Sequence, residues 1–161
     1  MDFGKVDDIS KVNFNLPPDH PFTGQVLSSF KTSEPPRCFV GPPIWANKDW
    51  VGKIYPTTAK EKDFLYHYTR QFNTIELNVT HYQIPSETTI QRWIDAAVPG
   101  FCFCPKWPQS ISHEYQLKGC EHLSQEFTSS ILELGDHLGT TFLQLGPAFD
   151  TSQFHTLSAF L

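Results

Sequence analysis

The sequence predicts an α/β fold, a TIM-type β/α-barrel of which the first four βα units are present, and three observations carry that reading. In Asn73-Thr74-Ile75-Glu76-Leu77-Asn78-Val79-Thr80-His81-Tyr82, Ile75, Leu77 and Val79 alternate with Thr74, Glu76, Asn78 and Thr80. A parallel strand covered on both faces reads as a continuous apolar run, so a polar column on such a strand points to a barrel interior or a cleft. Strand and helix patterns then alternate along the chain, which means right-handed crossovers and a parallel sheet. Finally, the chain stops at Leu157-Ser158-Ala159-Phe160-Leu161, inside an apolar helical pattern. A complete barrel takes roughly 250 residues and eight units, so the front half of a longer barrel is expected. Such a sheet needs its missing half, or a self-association partner, to close it.

Residues 1–36 form a polar extension punctuated by Pro17, Pro18, Pro21, Pro35 and Pro36, with a helix expected only over 25–31. The barrel half, residues 37–161, begins with a strand at 38–41, a helix at 59–72 and a strand at 74–79. Ser86 followed by Glu87 starts the next helix, over 86–97, with Ile90, Trp93, Ile94 and Ala97 on one stripe and Pro99-Gly100 as its stop. A strand at 101–104 ends at Pro105, which cannot donate to a ladder. Phe127, Ile131, Leu134 and Leu138 mark a helix over 122–138 capped by Gly139. A strand at 141–145 follows, and a last helix begins near Thr151.

The chain has 161 residues, 39% apolar and 14% aromatic, enough for a core. A formal charge of −5 and a pI near 5.7 give no basic footprint, which disfavours nucleic acid as a partner. No apolar run reaches membrane-span length, and the acidic start Met1-Asp2-Phe3-Gly4-Lys5-Val6-Asp7-Asp8 is unlike a signal peptide, so a cytoplasmic protein is expected. Cys38, Cys102, Cys104 and Cys120 lack paired metal spacing and read as reduced, packed thiols. The phosphate-loop patterns GxGxxG and GxxxxGK[ST] and the GxSxG elbow are absent.

In a parallel barrel, functional groups sit where strands end and loops begin. That places Trp45 after the first strand, Asn78, Thr80, His81 and Tyr82 after the second, Lys106 and His113 after the third, and Gln144 at the fourth. Glu76 lies one inward step deeper. A carboxylate inside a barrel needs a charged or donor partner, and Lys106 on the adjacent strand is the expected one. The pair reads as acid/base machinery or as an ion pair fixing strand register. His113 can titrate near neutral pH. Trp45 and Tyr82 supply apolar walls, while parity turns His81 away from the Glu76 column and into packing. A metal held by Glu76, His81 and His113 lacks a spacing signature, so neither a metal nor a cofactor is expected.

The runs Gly41-Pro42-Pro43-Ile44-Trp45, Phe72-Asn73-Thr74-Ile75-Glu76-Leu77-Asn78-Val79-Thr80-His81-Tyr82, Phe101-Cys102-Phe103-Cys104-Pro105-Lys106-Trp107-Pro108, Ser112-His113 and Gln144-Leu145-Gly146-Pro147 resemble the YecE-like family, domain of unknown function 72. The resemblance covers 38–161 and implies a TIM-type barrel, without a firmly assigned reaction. It also implies that Glu76, Asn78, Lys106 and Ser112-His113 occupy family motif positions. The chain departs from the family pattern at His81, Gln83 and Gly146, where Phe, Arg and Pro are common, so the arginine that would clamp an anion at position 83 is missing. The expected function is enzyme-like acid/base chemistry, hydrolytic or isomerising, on a small polar or anionic substrate. Glu76, Lys106 and His113 would be catalytic, and Trp45, Asn78, Thr80, Tyr82 and Gln144 substrate-binding. The alternative is a non-catalytic binding or scaffold protein that engages nucleic acid or a protein partner.

Overall fold

A computed structural model describes residues 8–29 and 37–161, and the chain divides into two units, Met1–Arg37 and Cys38–Leu161. In the first unit a turn at Ile9–Lys11 precedes helix α1, Pro21–Ser29. The helix starts four residues earlier than the sequence pattern indicates. Pro21, its φ already set for a helix, stands at the first position, and the His20 ring Nδ1 accepts the Phe22 N–H at 3.1 Å. Residues 30 and 31, expected in this helix, lie outside the described residues.

In the second unit a two-stranded parallel sheet pairs β1, Thr74–Leu77, with β2, Cys102–Pro105. Their register sets Thr74 beside Cys102, Ile75 beside Phe103, Glu76 beside Cys104 and Leu77 beside Pro105. Ile75, Leu77 and Phe103 are buried on one face. Thr74, Cys102 and Cys104 are half-buried and Glu76 is exposed on the other. Alternation thus separates a core face from an open polar face, as the sequence pattern requires.

The expected strands at 38–41 and 141–145 are present only as flanking segments. Beside β1, the Asn73 side chain replaces a ladder: its Oδ1 accepts the Val40 N–H at 2.7 Å and its Nδ2 donates to the Cys38 carbonyl at 2.8 Å. Gly41 then runs against β1 so closely that a Cβ would overlap the Thr74 carbonyl. Tyr68, fully buried, shares its hydroxyl hydrogen between the carbonyls of Pro42 at 2.6 Å and Thr74 at 3.0 Å.

Beside β2, two isolated parallel bridges join Phe103 to Leu138 and Lys106 to Phe142. Three steps of β2 therefore face four steps of the outer segment. The extra residue is a bulge-like slip that interrupts the ladder. Gly139 sits at the slip, where a Cβ would lie 2.8 Å from the Cys104 sulfur.

The helices are shorter than their apolar patterns. Over the expected 59–72 helix, a 3-10 turn at Glu61–Asp63 leads into α2, Phe64–Tyr68. Buried Thr69 then turns its hydroxyl to the Ala96 carbonyl at 2.8 Å. Helix α3, Val79–Tyr82, follows β1 directly, and α4, Glu87–Ala96, carries the expected buried stripe at Ile90 and Trp93. Helix α5, Glu121–Leu132, ends well before Gly139. Gly135, at φ +52°, stops it, because glycine tolerates the left-handed conformation that an L side chain resists. The last helix, α6, Phe154–Phe160, follows a turn at Thr151–Gln153 closed by a capping box between Asp150 and Gln153.

The main core lies between the apolar sheet face and α2, α4 and α5, with Trp93 stacked on Phe103 at 5.9 Å. A smaller cluster around Ile111, Leu117 and Cys120 takes in Leu143, Leu145 and Phe160. All four cysteines are thiols outside any disulfide; Cys120 is buried, but Cys38 is exposed rather than packed. Among the described residues no helix is long and apolar enough to cross a membrane.

Candidate functional site

The strand expected over 74–79 ends at Leu77, and Asn78 opens α3 instead. Beyond that point the period of two no longer applies. Val79 is 48% exposed, Thr80 is 0% and His81 is 8% exposed. Thr80 is therefore a buried tie and does not line the mouth. Its Oγ1 accepts the Lys106 N–H at 3.0 Å and turns its own hydrogen toward the carbonyls of Lys106 at 2.7 Å and Leu77 at 2.8 Å. One hydroxyl thus locks the end of β1 to the end of β2.

Lys106 leaves this tie half-buried, with its Nζ 5.6 Å from the centre of the Phe142 ring, within cation–π range. The expected Glu76–Lys106 ion pair does not form: Glu76 is exposed and makes no ion pair or hydrogen bond among the described residues. Register explains the difference. Glu76 is level with Cys104, two residues before Lys106, on a sheet face open to water where a carboxylate needs no partner.

Glu76 instead joins Trp45 and Asn78, with Pro43 and Leu77, around a pocket of about 220 Å³. Trp45 is fixed there by its edge contact with Trp93 at 6.4 Å and by the Tyr55 hydroxyl, which donates to its carbonyl at 2.8 Å. Burial pushes the Tyr55 phenol up to about 12, so the hydroxyl stays protonated as a donor. Tyr82 is 73% exposed, with its ring edge-on to His81 at 5.3 Å. Gln144 is half-buried between Leu143 and Leu145. A larger cavity, about 570 Å³ between α5 and α6, contains none of the expected site residues.

His113 lies in a π-helical turn, Ser110–Glu114. Fully buried Ser112 donates its hydroxyl to the Pro108 carbonyl at 3.0 Å and accepts from the His113 Nδ1–H at 2.8 Å. The His81 Nδ1–H donates to the Trp107 carbonyl at 2.8 Å, and the two imidazoles meet edge to face at 5.2 Å. Lys106, His81 and His113 therefore gather at the C-terminal ends of the two strands. Among the described residues no three His, Cys, Asp or Glu side chains form a metal-binding group.

Parity sends His81 into packing, and it is buried; parity does not give its place against His113, because it carries the strand's alternation past Asn78. The local signal was weak: Asn78 stands before α3 without a side-chain capping bond, so little in the chain marks the change of period at that position. Burial lowers the His81 pKa from its ordinary 6.5, and the charges of Lys106 and His113 push the same way against the Trp107 hydrogen bond. The unfolded chain takes up this proton near 6.5 and the folded one only at lower pH. Between those two values the unfolded state binds more protons, so stability falls as pH drops below about 6.5. Denaturation midpoints from pH 8 to pH 5 should show that decline, and His81→Asn should flatten it.

The fold and site together define an α/β protein with a cation-bearing cluster at the C-terminal ends of its parallel strands. Residues 39–161 match the family described as protein of unknown function DUF72. The chain is 32% identical over 123 residues to UPF0759 protein YecE of Escherichia coli K12, across 76% of this chain and 43% of that protein. It also resembles crystal structures of two DUF72 family proteins. The one from Enterococcus faecalis has TM-score 0.60 and 22% identity over 75% of this chain and 45% of that one. The one from Thermotoga maritima has TM-score 0.57 and 27% identity over 74% and 49%. The chain belongs to the DUF72 family, as its motifs indicated, and spans less than half the length of the curated relative it matches.

Proposed function

We propose that residues 38–161 supply the first four units of a TIM-type β/α-barrel whose mouth binds a small polar or anionic molecule and carries out acid/base chemistry on it. The observation that carries this reading is the meeting of Lys106, His81 and His113 where β1 and β2 end. Lysine offers a fixed positive charge to a carboxylate or phosphate, and imidazoles offer proton transfer near neutral pH. The parallel order of 38–41, β1, β2 and 138–142, each beside its predecessor, supports the barrel. So does the polar inner face bearing Thr74 and Glu76. The Trp45, Glu76 and Asn78 pocket would hold the uncharged part of the substrate, with Tyr82 and Gln144 as further contacts outside its lining. The reaction class favoured is hydrolysis or isomerisation, in the cytoplasm.

The test is a thermal-shift screen of phosphorylated sugars, nucleotides and small carboxylic acids against the full-length protein and its Lys106→Ala variant. A charged hydrogen bond there is worth ~1.5–3 kcal/mol, so hits should bind the variant roughly ten- to a hundredfold more weakly. Anionic hits that bind both proteins equally would remove Lys106 from the site.

One observation favours a second reading, a binding or scaffold role: the polar face of the sheet is open, and Glu76 on it is exposed. A protein partner, a second copy or the remaining half of the barrel would cover that face. Association that persists in Glu76→Gln and Lys106→Ala variants, without any small-molecule hit, would support the scaffold.

A further inference from the structure

Both imidazoles at the strand ends are pinned in the same way. His81 spends its Nδ1–H on the Trp107 carbonyl, and His113 spends its own on the Ser112 hydroxyl. In the neutral ring each is thereby fixed as the tautomer whose Nε2 carries a lone pair. Neither Nε2 has a hydrogen-bond partner among the described residues. No buried, unpartnered side-chain nitrogen exists among them either, so both Nε2 atoms reach solvent. His81 is only 8% exposed; its ring is enclosed, and its lone-pair nitrogen is the polar atom left open.

The electrostatic setting is one-sided. Lys106 from the end of β2 and His113 from the π-helical turn are the charged or titratable side chains that act on His81. Tyr82, on its own helix, stands edge-on to the ring. The carboxylates close in sequence, Glu76 and Glu114, are exposed. With both rings neutral the cluster carries one positive charge, which balances a singly charged anion and falls short of a doubly charged one.

We propose that His81 is the proton-accepting group of this cluster, and that it takes up a proton when a doubly charged oxyanion, such as the phosphate group of a monoester, binds beside Lys106. The inference rests on the oxyanion reading of the same site and adds a residue, a charge class and a pH dependence to it. The proton comes from the buffer and goes onto His81 Nε2, so cluster and ligand end with matched charge. Protonation without the anion is opposed by burial and by the neighbouring Lys106 charge. Protonation with it is favoured, since an opposite charge within a few ångströms stabilises the charged ring. Affinity for the dianion therefore rises as pH falls, by up to about tenfold per pH unit for one coupled proton.

Sulfate is the suitable probe, because it stays doubly charged across pH 5–8. Calorimetry of the full-length protein with sulfate, across pH 5–7 in two buffers of different ionisation enthalpy, should show net proton uptake on binding, reaching about half a proton per anion for a one-unit rise in pKa. His81→Asn retains an N–H for the Trp107 carbonyl but has no Nε2, and should abolish the uptake; Lys106→Ala should weaken binding at every pH. NMR of the unmodified protein gives a second readout: saturating sulfate should raise the His81 pKa by about one unit or more, a tenfold preference of the anion for the protonated ring. Sulfate binding without proton uptake, or with an unmoved His81, would overturn the proposal and leave the oxyanion site standing. Uptake that survives in His81→Asn and vanishes in His113→Asn would overturn the assignment to His81. Absence of sulfate binding from pH 5 to pH 8 would overturn both the coupling and the oxyanion reading beneath it.

Discussion

Gly41→Ala is expected to destabilise the protein by about 3 kcal/mol or more, at the upper end of overpacking costs. The added methyl would overlap the Thr74 carbonyl and stand 2.6 Å from the Tyr68 hydroxyl. Neither neighbour can move freely. Thr74 is paired with Cys102 in the sheet, and Tyr68 is fully buried with its hydroxyl committed to two carbonyls. The segment must therefore pull away from β1, and Pro43 and Trp45 would follow, opening the pocket they line with Glu76 and Asn78. Chemical denaturation and a melting point are the measurements, with a fall of roughly 6–12 °C expected for a chain of this size. A change below about 1 kcal/mol would mean that residues 38–41 are not docked on β1.

Thr80→Val should have the second largest effect, because it preserves shape while deleting the hydroxyl that joins the two strand ends. The Lys106 N–H would lose its acceptor at 3.0 Å and keep only the long contact of 3.4 Å to the Leu77 carbonyl. The carbonyls of Leu77 and Lys106 would lose a donor as well. Leaving such a buried group unsatisfied costs ~1–3 kcal/mol. The site should suffer beyond that loss, since Lys106 is aimed from the tied residue. Thr80→Ser, which keeps the hydroxyl, should restore most of both. Equal loss in the valine and serine variants would show that Thr80 acts through its methyl packing.

How much of this could be read from the chain depends on where regular periods persist. Thr74 to Leu77 alternate as their side chains demand, and Ile90 with Trp93 sit on the helical stripe that their spacing describes. The family could be recognised because its motifs cluster at strand ends. What failed did so at changes of period. Asn78 starts a helix where alternation was expected to continue, which buries Thr80 and turns His81 toward Lys106. Gly135 ends α5 where apolar spacing pointed to Gly139. The Glu76–Lys106 pair failed for another reason: a parity argument places both on one face but does not fix their level along it.

The slip between β2 and the outer segment gives the stretch from Leu138 to Phe142 a property that its irregular appearance hides. Loops commonly tolerate gained or lost residues, but this one behaves as a spacer with a single residue of slack. With four steps facing three, Phe142 arrives level with Lys106, its ring beneath the ammonium, while Leu143 and Leu145 reach the apolar cluster. Removing one residue, Thr140 for example, would leave three steps facing three, so the ladder would straighten with Phe142 still level with Lys106 and everything downstream in phase. Removing a second, Thr141 as well, would draw Leu143 level with Lys106, turn Phe142 toward the helices and bring leucines to the cleft. The stretch is thus predicted to absorb one single-codon deletion and to fail at the next, with the site's floor and the core beside it lost together.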